Sequence, residues 1–230
     1  MNLARLFRQR HRKQDALFPV PQPLDSTPID HTRLVVLDLE TSGLDTHRDE
    51  VLSIGAVAIS NGVLHMADQF ECTLLRPDHQ PNQATVLHGI APSHIHSGQS
   101  VETALSGFLH FAGSCVLLAF HARFDQRMLA RCLRKDLGHR LQHCFLDVAE
   151  MAPMLFPQAA AHCSTLDDWQ QYFQLTNSER HNAAADAQVT AEILLILLNR
   201  LDREGTNTLA ELDSRLSTWR RLNQARAGRL

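Results

Sequence analysis

Apolar and polar positions fall into a readable order along this chain. Leu34-Val35-Val36-Leu37 is an unbroken apolar run of strand length, which predicts a buried strand. Val51 to Ser60 and Val63 to Leu75 predict two more, turning at Asn61-Gly62. Three consecutive strands joined by a tight turn predict an antiparallel meander. After a connection rich in His and Pro, Val101, Leu105, Phe108 and Leu109 keep helical spacing, so a helix is expected over Val101 to Phe111. Cys115 to Phe120 predicts a fourth strand. Phe124 to Leu137 predicts a helix with Met128, Leu129, Cys132 and Leu133 on one face. Cys144-Phe145-Leu146 predicts a short fifth strand running into a helix that Pro157 ends. Helices over about Thr165–Phe173, Ala183–Arg200 and Thr208–Ala225 close the chain. Strands first and then strands alternating with helices predict an α/β fold with a mixed five-stranded sheet flanked by helices.

The two ends differ from this body. Arg5, Arg8, Arg10, Arg12 and Lys13 lie in a segment without acids, compatible with a short basic amphipathic helix, and Phe18 to Pro28 holds four prolines and predicts an extended tether. Arg215, Arg220, Arg221, Arg226 and Arg229 make the C-terminal stretch equally basic. The expected organisation is a basic N-terminal segment and tether over 1–30, a folded body over 31–204, and a basic C-terminal helix over 205–230. The net charge of −3 hides this asymmetry, because 12 of the 22 basic residues are left to face all 25 acids in the middle. An acidic body with basic ends suits cations in a site and phosphates at its edges, although solvated helix ends would look the same. With 230 residues, 44% apolar and 20% charged, the chain can bury a real core, and its composition excludes a largely disordered protein. The longest aliphatic run, Ile193 to Leu198, is too short for a bilayer, so no membrane association is expected. The basic N-terminus has no apolar stretch behind it as a secretory signal would, and the five cysteines are odd in number without a CxxC pair. Reduced thiols and a cytoplasmic location are the expectation.

Three short segments carry candidate chemistry. Asp38 and Glu40 end the first strand, and alternation turns both to the same face. Two neighbouring carboxylates repel, more so when buried, and a proton or a divalent cation relieves them. A lone Asp-x-Glu at a strand end more often just faces water. Asp125 stands in the opening turn of a helix, where it also complements the macrodipole. His181 precedes Asp186 by five residues, and Asn182 is a candidate N-cap, so His181 on the loop and Asp186 in the second turn could reach one site. His139, His143, Cys144, His162 and Cys163 lack the paired close spacing of a zinc site, and coincidence among 14 histidines is the better reading.

Taken together, Asp38-Leu39-Glu40-Thr41-Ser42-Gly43-Leu44-Asp45, Phe124-Asp125 and His181-x4-Asp186 resemble the three motifs of the DEDD exonucleases. The histidine five residues before the last Asp matches the histidine-bearing branch, which includes the epsilon proofreading subunit of bacterial DNA polymerase III, ribonuclease T and oligoribonuclease. The resemblance covers about Leu34 to Leu198, with lesser landmarks at Asp49 to Val57, Leu87-His88-Gly89-Ile90 and Leu146-Asp147 leading to Leu155-Phe156-Pro157. It departs at the second motif, usually Ala-His-Asn-x-x-Phe-Asp, where Phe120 and His121 replace the His and Asn.

The resemblance implies a ribonuclease-H-like fold and a 3′→5′ exonuclease releasing nucleoside 5′-monophosphates from single-stranded nucleic acid, with DNA favoured and a role in proofreading or repair. It implies Asp38, Glu40, Asp125 and Asp186 as ligands of two divalent cations, Mg2+ or Mn2+, whose charge they balance and whose hardness they suit. His181 is the implied general base, since histidine titrates nearest neutrality. Thr41 and Leu44 match positions that hold the terminal nucleotide, and His88 and Phe124 are further binding candidates. The expected partners are 3′ ends of single-stranded DNA or RNA. A short-RNA exonuclease is the alternative within the class, and a catalytically silent nucleic-acid-binding or scaffold module the alternative outside it. Silence fits poorly with all five active-site residues present. Gln14-Asp15-Ala16-Leu17-Phe18 also resembles the Gln-x-x-Leu-Phe pentapeptide by which bacterial polymerases dock on the sliding clamp, with Leu17 and Phe18 as the apolar anchors.

Overall fold

The computed structural model describes residues 18–176 and 181–227. Its five-stranded sheet has the order β3-β2-β1-β4-β5, built from β1 (Leu34–Thr41), β2 (Val51–Ser60), β3 (Val63–Thr73), β4 (Val116–Ala119) and β5 (Phe145–Asp147). The first three strands form the expected antiparallel meander, while β4 and β5 add in parallel beside β1. The helices are α1 (Gln83–His88), α2 (Pro92–His96), α3 (Val101–Ala112), α4 (Ala122–Cys132), α5 (Val148–Leu155), α6 (Leu166–Tyr172), α7 (Ala183–Arg203) and α8 (Leu209–Ala227).

The sheet divides two apolar cores, and β1 feeds both by alternation. Leu34 and Val36 join one core with Ile193, Leu194 and Leu197 of α7, Met151 of α5 and Leu212 and Leu216 of α8. Val35, Leu37 and Leu39 join the other with Phe108 of α3 and Met128 and Leu129 of α4. Asp38 and Glu40 continue the parity of Leu34 and Val36, so they emerge on the face that α7 covers. A β-bulge between Glu40 and Thr41 then breaks the register as the strand leaves the sheet.

Several boundaries differ from the sequence expectation. The connection rich in His and Pro contains α1 and α2. α1 starts with a capping box between Asn82 and Thr85 and stops at Gly89 in the left-handed conformation, and α2 has Pro92 in its first turn. The helix expected from Phe124 to Leu137 starts at Ala122, behind His121 at φ 63°, and passes into a π-helical turn over Leu133–Leu137. The proline segment is a strap along the body. The N–H groups of Leu209 and Ala210 donate to the carbonyls of Thr27 (3.1 Å) and Asp25 (2.8 Å), and the Ile29 N–H donates to Asn207 (2.9 Å). Proline removes donors from a chain and leaves its carbonyls, which here satisfy the orphan donors that open α8. The C-terminal helix is packed down, with Leu209, Leu212 and Leu216 fully buried. Two of its arginines are neutralised: Arg215 by Glu204 (2.6 Å) and Arg220 by Glu150 (2.5 Å).

The basic segment before the tether, with Gln14 to Leu17, lies outside the described residues. Phe18 is half-buried and packs edge-on against the rings of His110 and His139, 5.2 and 5.0 Å between centroids. No helix among the described residues is long and apolar enough to cross a membrane.

Candidate active site

Three of the four carboxylates meet because α7 reaches the sheet beside Asp38. The N-cap Asn182 starts α7, its Oδ1 accepting the Ala185 N–H at 3.0 Å and its carbonyl accepting the Asp186 N–H at 2.9 Å. Asp186 thereby faces the sheet in the first turns. Gly55 of β2 pairs with Asp38 across the strands, and a Cβ built on it would lie 2.1 Å from the Ala183 carbonyl carbon. Only a residue without a side chain lets the helix start sit this close. One ligand oxygen from each of Asp38, Glu40 and Asp186 lies within 4.8 Å of the others.

Asp125, in the first turn of α4, stands outside that trio but close enough to Asp38 for their charges to interact. It is 4% exposed. Burial, then the neighbouring Asp38 carboxylate, and further Asp147, push its carboxyl well above the usual carboxylate range, against the Leu39 backbone hydrogen bond that favours its charge.

His181 also belongs here. It occupies the left-handed region at φ 60°, and its N–H donates to Asp186 Oδ2 at 3.1 Å, which ties the loop to the carboxylate cluster. The four binding candidates converge as well. Thr41, Leu44, His88 and Phe124 line one cavity of about 770 Å³ together with Glu40. A second cavity of about 200 Å³ is lined by Glu40, His88 and His181 together with Ser53, Glu71 and His94. Glu40 and His88 are therefore shared by both, and Glu40 is the member of the carboxylate cluster that reaches them. The cavities differ in character: aliphatic and aromatic side chains dominate the larger, polar ones the smaller. Leu44 is 86% exposed at the rim, an apolar side chain held in water beside a cleft. The His88 Nδ1 accepts the Ile90 N–H at 3.1 Å, and burial, followed by His79 and His181, lowers its pKa below the ordinary histidine value.

Two roles near the cleft escape motif reading, that of Asn82 and the steric one of Gly55, which stood only within the Asp49 to Val57 landmark. Asn82 caps α1 and donates its side-chain amide to the Ser42 carbonyl at 2.7 Å, joining α1 to the loop after β1. Gly55 seats α7. Both carried a readable signal, the Asn-x-x-Thr cap and a lone glycine within a strand. At the departing second motif, Phe120 packs against the α7-side core, and His121 opens α4 without capping it through its side chain. Histidine is among the few residues with a Cβ enriched at positive φ, so the exchange preserves the turn. Of the histidines outside the site, His143 is buried and its Nε2 bonds the Gly113 carbonyl at 3.0 Å, while His139 is buried beside Phe18.

A family model described as Exonuclease (RNase_T) matches residues 35–194. A DNA polymerase III subunit epsilon-like protein from Rhodobacter capsulatus is 34% identical over 191 residues, covering 80% of this chain and 26% of that protein. A PolC-type DNA polymerase III from Caldanaerobacter subterraneus is 33% identical over 181 residues, covering 78% of this chain and 12% of the polymerase. The chain thus spans a small part of the curated relatives' length. Among solved structures, E. coli exonuclease I in complex with a dT13 oligonucleotide superposes with a TM-score of 0.66 at 14% identity, over 75% of this chain and 42% of that one. At that identity the likeness speaks for the fold, a mixed sheet with flanking helices shared with exonucleases.

Proposed function

The chain belongs to the exonuclease family whose model spans residues 35–194, and on that footing we propose that it is a metal-dependent 3′→5′ exonuclease of single-stranded nucleic acid, with DNA as the favoured substrate and proofreading or repair as its setting. The observation that carries this reading is the clustering of Asp38, Glu40 and Asp186 within 4.8 Å, with buried Asp125 beside Asp38 and an apolar cavity opening from Glu40. A silent binding module has no use for this set of four acids and a histidine, all of which the chain retains.

The donor set fits hard divalent cations: all four are carboxylates, and oxygen donors suit Mg2+ and Mn2+. Asp38, Glu40, Asp125 and Asp186 would hold two Mg2+ or Mn2+ ions, which when bound supply charge neutralisation at the scissile phosphate and a more acidic water. The remaining work belongs to the chain. His181, tied by its own N–H to Asp186, accepts a proton from the attacking water, and does so only while its ring is neutral. The Thr41, Leu44 and Phe124 walls seat the terminal nucleotide, the apolar side chains stacking on its base. Nucleoside 5′-monophosphates leave as products. The five free cysteines suit a cytoplasmic setting.

The test is degradation of 5′- and 3′-labelled DNA and RNA oligonucleotides with Mg2+, Mn2+ or EDTA. A 5′ label should shorten through a ladder, a 3′ label should appear at once as mononucleotide, and EDTA should stop both. Internal cuts, activity in EDTA, or no activity with either ion overturns the reading. Docking on a sliding clamp through Gln14–Phe18 would require Phe18 to leave its seat against His110 and His139. Titration of the host clamp with a peptide spanning residues 8–22, against the same peptide with both Leu17 and Phe18 changed to Ala, decides it.

A further inference from the structure

Asp147 is a carboxylate that the chemistry above leaves unused. It ends β5 and is the N-cap of α5, where its Oδ1 accepts the Ala149 N–H at 2.9 Å. The same oxygen accepts the N–H of His121 at 3.1 Å, from a residue 26 positions earlier. His121 is the N-cap of α4, and its side chain caps nothing. One carboxylate oxygen therefore serves two helix starts, and α4 borrows from β5 the cap it lacks.

The helix start it serves is the one that matters for the cluster. Asp125 lies in the first turn of α4, four residues past His121. His121 stands in the left-handed region at φ 63°, a conformation that a residue with a Cβ holds only when its surroundings fix it. The Ala122 N–H further favours the Asp147 charge, against burial and the neighbouring Glu150, which raise its carboxyl pKa.

We propose that Asp147 is a positioning residue: by accepting the His121 N–H it fixes the start of α4 and so the place of Asp125 among the metal-binding carboxylates. The inference rests on the metal-dependent reading above. It separates from two simpler roles, a cap needed only for folding and a negative charge felt at a distance. Asparagine in place of Asp147 keeps an oxygen for both hydrogen bonds and loses the charge, whereas alanine loses both.

Wild type, Asp147→Asn and Asp147→Ala full chains are titrated with Mn2+ by electron paramagnetic resonance of the free ion, and their kcat and KM are measured on a single-stranded oligonucleotide. Asp147→Ala should weaken Mn2+ binding and lower kcat, each by about 10–100-fold, the usual worth of a residue standing behind a metal ligand. Its KM for the oligonucleotide should not move, and Asp147→Asn should stay close to wild type in all three. Unchanged Mn2+ affinity in a folded Asp147→Ala overturns the proposal. So does an Asp147→Asn chain that folds but binds Mn2+ as weakly as Asp125→Asn, which is the decisive comparison if the alanine variant does not fold. A wild-type chain that neither binds Mn2+ nor degrades oligonucleotides overturns the functional reading itself, and this inference with it.

Discussion

Asp125 carries the tension of this site in one side chain. Its carboxyl pKa is raised in the folded protein by burial and by Asp38, so the folded chain holds its proton more tightly than the unfolded one. The associated stability is fully present below the unfolded value of 3.8 and is lost as pH rises through the higher folded value. Asp125→Asn should therefore melt above wild type at neutral pH in EDTA, by about 2–4 °C for each kcal/mol relieved, with the gain vanishing below about pH 4. Differential scanning fluorimetry across pH checks this. Activity should move the opposite way. Asp38→Ala or Asp186→Ala should abolish exonuclease activity in a chain that still folds, and surviving activity in either would remove the carboxylates from the mechanism. His181→Ala should slow the rate by about 10²–10⁴, with Mn2+ binding little changed. A near-normal rate in the variant would leave His181 a structural tie to Asp186.

Among elements, α7 and α8 make different demands on the chain. α7 must approach β2 at Gly55, so Gly55→Val should shift the start of that helix, displace Asp186 and cost roughly 100-fold in rate, the usual effect of misplacing a reacting group by about 1 Å. Retained activity in that variant would mean that the sheet yields instead. α8 contributes apolar burial, and Leu212→Ala should cost about 2–5 kcal/mol in urea unfolding while leaving the site's chemistry in the remaining folded fraction unchanged. The strands and long helices were legible because their apolar periods are long enough to read: Asp38 and Glu40 share a face by alternation, and the spacing of His181 and Asp186 fits a loop followed by a capped helix. α1 and α2 were not, since six and five residues hold no period and only their caps mark them. The strap from Phe18 to Pro28 was also hidden, because its backbone carbonyls hold it to α8 and carbonyls have no sequence signature. Asp147 stood in a recognised motif, but its link to His121 crosses between elements and becomes visible only in three dimensions.

At the scale of the whole molecule, the proposed function asks an acidic body to receive a polyanion. Arg123 and Arg127 on α4 are exposed and without an acidic partner among the described residues, flanking Phe124 of the cleft. They are expected to meet the phosphates of the incoming strand. Replacing both with Ser should raise KM for oligonucleotides and flatten the dependence of log kcat/KM on log salt by about 0.7 per arginine. An unchanged slope would place the strand elsewhere. The seat at Gly55 has a reach beyond this chain's own catalysis. A relative that keeps all four acids in its sequence is still unable to use them if a side chain opposite the first Asp holds the last helix away. Two positions far apart in sequence, 55 and 183, thus share one steric constraint, and that constraint offers a way to sort working copies from silent ones where the acidic motifs alone do not distinguish them.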